Sequence, residues 1–293
     1  NWTPWLRTNF GLRYDQYSTH VESVLQNQNS GAATTGLWSP KFSLILGPWD
    51  KTEYFFNAGK GFHSNDARGT TAKVDPNDST KTVASVPGLV SSKGYEVGIK
   101  TEAVQGLQTS LSLWRLDFDA ELIYVGDAGG TESGRSSRRT GIEWNNRWMP
   151  SSTLVIDADL AWTKPRYNTE DGSGVFVPNA VEKVALLAAT VKDVGKWNLT
   201  GQLRYIGPAA LVEDNSVRSN SSSIINFKAR RNFENNQAIY VDVLNVFDRK
   251  FNDISYYAPD PLRTVRNGTL ISDKALVHPG EPRSIRITYA IKY

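Results

Sequence analysis

The chain has 293 residues, 39% hydrophobic, 11% aromatic and 22% charged, and its 33 Lys and Arg against 30 Asp and Glu leave a net charge of +3. That balance, with charges dispersed rather than blocked, gives no basis for nucleic-acid binding. The lack of cysteine removes disulfides, thiolate metal sites and cysteine nucleophiles together; only three histidines (His20, His63, His278) remain for metal or acid–base chemistry, while 9 Trp, 12 Tyr and 11 Phe are too many for a disordered chain.

The mean hydropathy is −0.42, and no window holds the ~18 consecutive apolar residues of a membrane helix. The longest apolar run, from Val184 to Val191, is broken by Thr190. These numbers suit a soluble all-β domain. They suit a transmembrane barrel equally well, because only alternate residues of each of its strands face lipid. The start, Asn1-Trp2-Thr3-Pro4, has no signal-peptide character and runs directly into a strand, so further chain is expected upstream.

Period-two alternation recurs in chain order. Leu6, Thr8, Phe10, Leu12 and Tyr14 oppose Arg7, Asn9, Gly11, Arg13 and Asp15. Trp38, Phe42, Leu44 and Leu46 oppose Ser39, Lys41 and Ser43, and Tyr95, Val97 and Ile99 oppose Glu96, Gly98 and Lys100. Leu154, Ile156, Ala158, Leu160 and Trp162 oppose Asp157 and Asp159; Trp197, Leu199, Leu203 and Tyr205 oppose Asn198, Thr200, Gln202 and Arg204. Ile285, Ile287, Tyr289, Ile291 and Tyr293 close the chain against Arg286, Thr288 and Lys292. The pattern predicts twelve strands, at about 4–17, 36–47, 52–63, 92–102, 107–119, 138–148, 152–163, 181–192, 196–207, 221–232, 237–258 and 281–293. No segment sustains a helical apolar period.

Aromatics gather toward the strand ends (Tyr14, Trp38, Trp144, Trp148, Trp162, Trp197, Tyr205, Tyr293), where a lipid-facing strand carries its interfacial girdle. Connections alternate in length. Short ones fall near 47–50, 104–106, 149–151, 193–195 and 234–236; long polar ones near 18–35, 64–91, 120–137, 164–179, 208–220 and 259–280. One end therefore carries tight turns and the other long loops, the periplasmic and extracellular ends of an outer-membrane barrel.

Four motifs resemble those of TonB-dependent outer-membrane receptors. Gly11-Leu12-Arg13-Tyr14-Asp15 is similar to a strand of that family, and Gly59-Lys60-Gly61-Phe62-His63-Ser64-Asn65-Asp66-Ala67-Arg68-Gly69 to a stretch found in one of its branches. Leu244-Asn245-Val246-Phe247-Asp248 resembles its motif near the end of the barrel, and the close from Glu281 to Tyr293 resembles its terminal strand. The resemblance implies an all-β transmembrane antiparallel barrel whose about 12 strands match the last 12 of a 22-stranded one. Residues 1–293 would be the C-terminal portion of that barrel domain, with no plug domain, TonB box or first ten strands. It further implies TonB-energised uptake of a scarce nutrient, such as a ferric siderophore or other metal chelate, and no catalytic group, bound cofactor or resident metal. The implied partners are the TonB complex through the N-terminal region, the protein's own plug, outer-membrane lipid and lipopolysaccharide, and the barrel-assembly machinery through the strand ending at Tyr293. The alternatives are a passive twelve-stranded porin-like channel, which would need 4–17 to pair with 281–293, and a soluble β-repeat module. The latter finds no support in any repeat of propeller length.

Candidate ligand or plug contacts lie at the long-loop end. His63, Asn65, Asp66 and Arg68 stand where an outward strand enters a loop, although Asn65 and Asp66 are also ordinary turn residues and Arg68 can pair with Asp66. Asp127, Glu132 and Arg135 lie in a glycine-rich segment that matches an extracellular loop of the family, as do Glu213, Asp214 and Arg218. The strand–loop–helix context of a phosphate cradle is not present there. His278 also falls on this side, yet three histidines without ligand spacing make a poor metal signal. Asp117 with Asp119 and Asp157 with Asp159 read as lumen carboxylates facing Arg13, Arg139, Arg147 and Arg204 rather than as an acid–base pair.

Overall fold

Alternation along the chain becomes a hydrogen-bonded ladder in the computed structural model, which describes all residues except 76–77, 126–129, 235, 259–273 and 292–293. The strands are β1 (Leu6–Val21), β2 (Gly31–Trp49), β3 (Thr52–Ser64), β4 (Leu89–Thr101), β5 (Leu107–Phe118), β6 (Leu122–Val125), β7 (Gly130–Ser133) and β8 (Ser137–Trp148). They continue with β9 (Leu154–Tyr167), β10 (Lys183–Val194), β11 (Trp197–Ile206), β12 (Ser222–Asn232), β13 (Gln237–Leu244), β14 (Asn252–Ala258), β15 (Lys274–Pro279) and β16 (Ser284–Ile291). One short helix, α1 (Ala67–Thr70), and a 3-10 turn at Asn27–Asn29 interrupt them. Twelve strands form one antiparallel sheet in the order β1-β2-β3-β4-β5-β8-β9-β10-β11-β12-β13-β16; β6–β7 and β14–β15 are separate hairpins within long connections. Among the described residues no ladder joins β1 to β16, so each is an edge.

The register puts every apolar set on one face. Phe10 lies opposite Phe42, Phe42 opposite Ala58 and Ala58 opposite Tyr95; farther along, Leu111, Trp144, Leu160, Ala185 and Tyr205 follow one another strand to strand. A one-residue slip would turn each strand's apolar set to the opposite side, so the pattern specifies the register. This face stays open: Phe10 is 72% exposed, Leu12 58% and Ile287 71%. A contiguous apolar surface of that extent marks contact with another phase or partner.

The opposite face is polar and partly paired within the chain. Arg7 meets Glu53 at 2.5 Å, Asn57 donates to Glu96 at 2.9 Å, and Arg147 meets Asp157 at 3.2 Å. Lys228 and Arg286 both lie opposite Asp242. Gly141 makes room here for a large ring, since a Cβ at that position would run into the Trp114 indole on β5.

Turns at one end are tight and use left-handed backbone, at Asp50, Lys51, Asp193, Gly195, Lys196 and Asn236. The other end carries the connections 22–30, 65–88, 119–136, 168–182, 207–221 and 245–283. Burial is frequent there: Val74, Val86, Leu89, Val90, Val177, Ala209, Ala210 and Leu211 are enclosed, with Tyr167 and Ile224 at adjoining strand ends, while the sheet below buries Val155, Ala188 and Ala238. The loop rim thus has a core of its own, whereas the sheet below it has two open faces.

Four expectations need correction. The strand expected over 237–258 ends at Leu244, because Asn245 and Asp248 adopt φ of 49° and 52° and turn the chain, and 252–258 pairs with 274–279 instead of with the sheet. The buried Asn245 side chain holds that turn, donating to the carbonyls of Arg249 and Glu281 and accepting from the Arg249 N–H. Residues 18–21 and 31–35, expected as loop, extend the β1–β2 ladder; their Ser and Thr pair across it (Ser18 and Thr34, 3.2 Å) where no apolar face is needed. Asp117 is not a lumen carboxylate: it lies on the apolar side, at the loop end of β5, between Arg115 and Arg138. Trp144 sits inside the apolar band rather than at a strand end, and Tyr293 lies outside the described residues.

Candidate functional site

Six connections converge at one end of the sheet, so a site at this end is assembled from loops rather than from one strand. Two arginine-centred clusters tie the loops to each other. Arg135, just before β8, reaches Asp171 at 2.8 Å and Glu213 at 2.6 Å, donates to the Thr169 carbonyl at 2.8 Å, and lies 4.1 Å over the Tyr167 ring. Ser173 also donates to Glu213. Gly174 permits this closeness: its φ is +112°, and a Cβ would meet the Glu213 carbonyl. One guanidinium therefore joins the 119–136, 168–182 and 207–221 connections.

Glu182 is the centre of the second cluster. It accepts from Arg166 at 3.0 Å and Arg218 at 2.8 Å, while Arg218 also donates to Asn215 and, at 3.0 Å, to the Pro208 carbonyl. Arg166 stacks 3.7 Å from the Phe176 ring centre. Burial pushes the Glu182 carboxyl up, but the hydrogen bonds from Arg218 and Arg166 outweigh it and hold the group below the usual carboxylate range.

A third group lines the polar face just beneath the rim. Phe118, Ser137 and Tyr167 are successive register partners on β5, β8 and β9. Glu121 accepts from the buried Ser137 hydroxyl and from Arg139 at 2.8 Å, and Arg139 lies 5.1 Å over Phe118. The His63 ring stands 5.6 Å from Phe118 on the same face, with its Nε2 buried and without a hydrogen-bond partner among the described residues. The Tyr167 hydroxyl is likewise enclosed and without a hydrogen-bond partner among the described residues.

The 65–88 connection folds over the tip of β1–β2. Asn29 donates to the Val74 carbonyl at 2.9 Å and accepts from the N–H groups of Lys73 and Val74; Thr19 and Thr70 share a 2.8 Å bond. Asn65 donates to the Pro87 carbonyl. Asp66 caps α1 and grips the Arg68 side chain at 2.6 Å, and that hydrogen bond holds its carboxyl low.

Of the residues singled out from sequence, Arg135 and Glu213 meet directly, Asp66 and Arg68 form a local turn, and Asp214 is engaged by Ser216. Arg218 pairs with Glu182 rather than with another of the expected residues. His278 is exposed on β15 opposite Ile254, and no described contact joins it to His63. Asp127 lies outside the described residues; Glu132 is placed only by its backbone, opposite Ile123 on β6. No group of three or more His, Asp or Glu poised for a metal exists among the described residues. Sequence reasoning missed Glu121, Tyr167, Asp171 and Glu182. The glycine-rich segment with its clustered arginines signalled only Arg135 among the residues of these clusters.

Comparison with known proteins agrees with this geometry. A family model described as "TonB dependent receptor-like, beta-barrel" matches residues 1–246. The metal-pseudopaline receptor CntO of Pseudomonas aeruginosa is 19% identical over 97% of this chain and 38% of its own length. The ferric yersiniabactin uptake receptor FyuA from Yersinia pestis superposes with a TM-score of 0.72 at 13% identity, covering 98% of this chain and 43% of that one. For BauA, the ferric preacinetobactin receptor from Acinetobacter baumannii, the TM-score is 0.65 at 16% identity, over 97% and 40%. The chain thus spans about two fifths of the length of each of these proteins.

Proposed function

The chain belongs to the TonB-dependent receptor-like β-barrel family, and from that premise we propose that it forms the C-terminal part of the barrel of a receptor that imports a scarce metal as a chelate, a ferric siderophore being the leading case. The family is one of transport receptors of the Gram-negative outer membrane, not of enzymes. In this reading the apolar face meets lipid, the polar face lines a hydrated lumen that holds a plug, and the rim selects the ligand. TonB supplies the energy through the N-terminal region, and the terminal strand is read by the barrel-assembly machinery.

The observation that carries the reading is the rim itself. Connections of this length have no role in closing a barrel, yet they are cross-linked by Arg135 and Glu182 above a face holding His63, Phe118, Arg139 and Tyr167. Arginine and aromatic groups together suit an anionic chelate. Among the sequence-derived contacts, Arg135, Glu213 and Arg218 then shape the rim, and His63 lies at its inner wall. The unpaired edges β1 and β16 speak for additional strands from the same protein rather than for a self-closed twelve-stranded channel.

The test is uptake in the source bacterium. Deleting the gene under iron limitation should abolish transport of one radiolabelled metal chelate from a panel, and collapsing the proton gradient in the parent strain should do the same. Unchanged uptake of every ferric, copper, nickel and zinc chelate in the deletion strain contradicts the proposal.

A further inference from the structure

The polar face of the sheet is not uniform in charge. On β3 to β9, Glu53, Glu96, Glu143, Asp157 and Asp159 outnumber Lys100, Arg139 and Arg147. On β11, β12, β13 and β16 the sign reverses. Arg204, Lys228, Arg230 and Arg286 stand there against Asp242 alone among the described residues. Between the two sectors, β10 presents Val184, Leu186, Ala188 and Thr190 to this face. Leu186 lies opposite both Asp159 and Arg204, which puts those two charges two strand spacings apart, about 10 Å. An uncharged strand thus keeps the sectors from neutralising each other.

The cations of the second sector form a descending series. Arg204 is the first below the Glu182 cluster. Lys228 lies opposite Thr200, four residues lower on β11, and Arg286 is level with it across Asp242. Arg230 lies opposite Asn198, two residues lower again. At ~3.3 Å per residue the series covers about 20 Å of the wall.

Three of the four have no partner. Among the described residues no carboxylate pairs with Arg204, Lys228 or Arg286, and the Arg204 Nε is enclosed without a hydrogen-bond acceptor. Arg230 is held by Asn232 at 3.0 Å and lies 5.1 Å over the Tyr240 ring. In the acidic sector, by contrast, Glu53, Glu96 and Asp157 are each engaged by a neighbouring side chain. A fixed protein partner is best served by one rigid, enclosed ion pair. Lys228, Arg230 and Arg286 are instead exposed and flexible. Each offers an anion a hold weak enough to leave, with another hold below it, which is the requirement for passage rather than storage.

We propose that the polar face of β11, β12, β13 and β16 is the transit path of an anionic cargo, a metal chelate with free carboxylate or phenolate groups. Arg204 takes it from the rim, Lys228 and Arg286 hold it next, and Arg230 releases it toward the tight-turn end. The path rests on the uptake reading and adds to it a sign of charge and a side of the lumen.

The experiment uses the intact receptor, returned to the deletion strain. The probe is the radiolabelled ferric, copper, nickel or zinc chelate that the deletion strain fails to import; the panel includes ferric citrate as an anion and a ferric trishydroxamate as a neutral chelate. Electrophoresis should show the imported chelate to be an anion. Arg204→Gln with Lys228→Gln should lower its maximal uptake rate per folded receptor about tenfold, with KM within about twofold because the rim is untouched. Arg204→Lys with Lys228→Arg should restore the rate, and Arg286→Gln alone should lower it about threefold. Lys41→Gln with Lys100→Gln, cations outside the series, should change neither constant. An imported chelate that is neutral or cationic overturns the path. So does an undiminished rate in both Gln variants of the series, or an equal loss in the Lys41 and Lys100 variant. Entry of vancomycin into cells carrying the Arg204 and Lys228 variant also overturns it, because these cations would then anchor a plug. Import of no chelate refutes the uptake reading and the path together, whereas import that the Gln variants leave intact refutes the path alone.

Discussion

The wall of the sheet and the rim above it solve burial in different ways. In the wall, Phe10, Leu12, Val97, Leu113 and Ile287 stay exposed and no second layer covers them; in the rim, Val74, Val177, Ala209, Ala210 and Leu211 are packed against their own chain. The wall is incomplete without lipid. The rim is folded like a small soluble protein, with caps, carbonyl-bound amides and shared ion pairs. One chain is thus written for two solvents, and the boundary runs along the strand ends where Trp162 and Lys183 meet.

Breaking the wall should have the largest effect. Leu187 and Leu203 are register partners on the apolar face of β10 and β11. Arginine at both is expected to cost about 4–8 kcal/mol, twice the ~2–4 kcal/mol of one arginine near the bilayer midplane. Folding yield into lipid vesicles, read by heat-modifiable gel mobility, should collapse. Gln202→Arg, one residue away on the polar face, should fold as the wild type does. Equal losses at the two faces would erase the distinction.

The rim should respond to a cavity as soluble cores do. Leu211, 5% exposed, truncated to Ala should destabilise the rim by about 2–4 kcal/mol. Amide exchange at 168–182 and 207–221 should speed up while the strands below keep their protection.

Charge holds the same region by a smaller margin. Glu182→Gln leaves Arg166 and Arg218 facing each other and should cost about 1–2 kcal/mol, seen as new proteolytic cuts in the same two connections. Because the Glu182 carboxyl lies below its ordinary value in the folded state, its contribution is present above the usual carboxylate pKa of ~4.3 and is lost as pH falls below it. Rim amides should therefore exchange faster at pH 3 than expected from their behaviour at pH 5, and the Gln variant should lack that step. Asp66→Asn is the smallest perturbation. It keeps the cap on α1 and removes only an exposed pairing with Arg68, so its effect on rim protection should stay within about 0.5 kcal/mol.

The same division governs what could be read in advance. Strands in the wall were legible because lipid on one side and water on the other impose period two, as in Leu154, Ile156, Ala158, Leu160 and Trp162. Where β1 and β2 rise past the membrane, neither face meets lipid, and the 65–88 connection covers one of them with polar contacts. Ser18, Thr19, Thr34 and Thr35 then carry no alternation although the ladder continues to Val21. The stretch after Leu244 misled for the converse reason: Ile254, Tyr256 and Tyr257 look strand-like and do form a strand, but the turn at Asn245 diverts it into a hairpin of its own. In the rim, Arg135 stood out by composition, whereas Glu182 and Tyr167 are isolated in sequence and gain meaning only through partners supplied by other connections.

The central claim is that one face of this sheet meets lipid and the other water, and the chain's lack of cysteine makes it directly measurable. Single cysteines at successive positions 110–114 of β5, each carrying a fluorophore, are reconstituted in vesicles and exposed to brominated lipid or to aqueous iodide. Labels at Leu111 and Leu113 should be quenched by the lipid, and labels at Ser110, Ser112 and Trp114 by the iodide or not at all. Iodide quenching of all five, with no alternation from the lipid, would contradict a lipid-embedded wall.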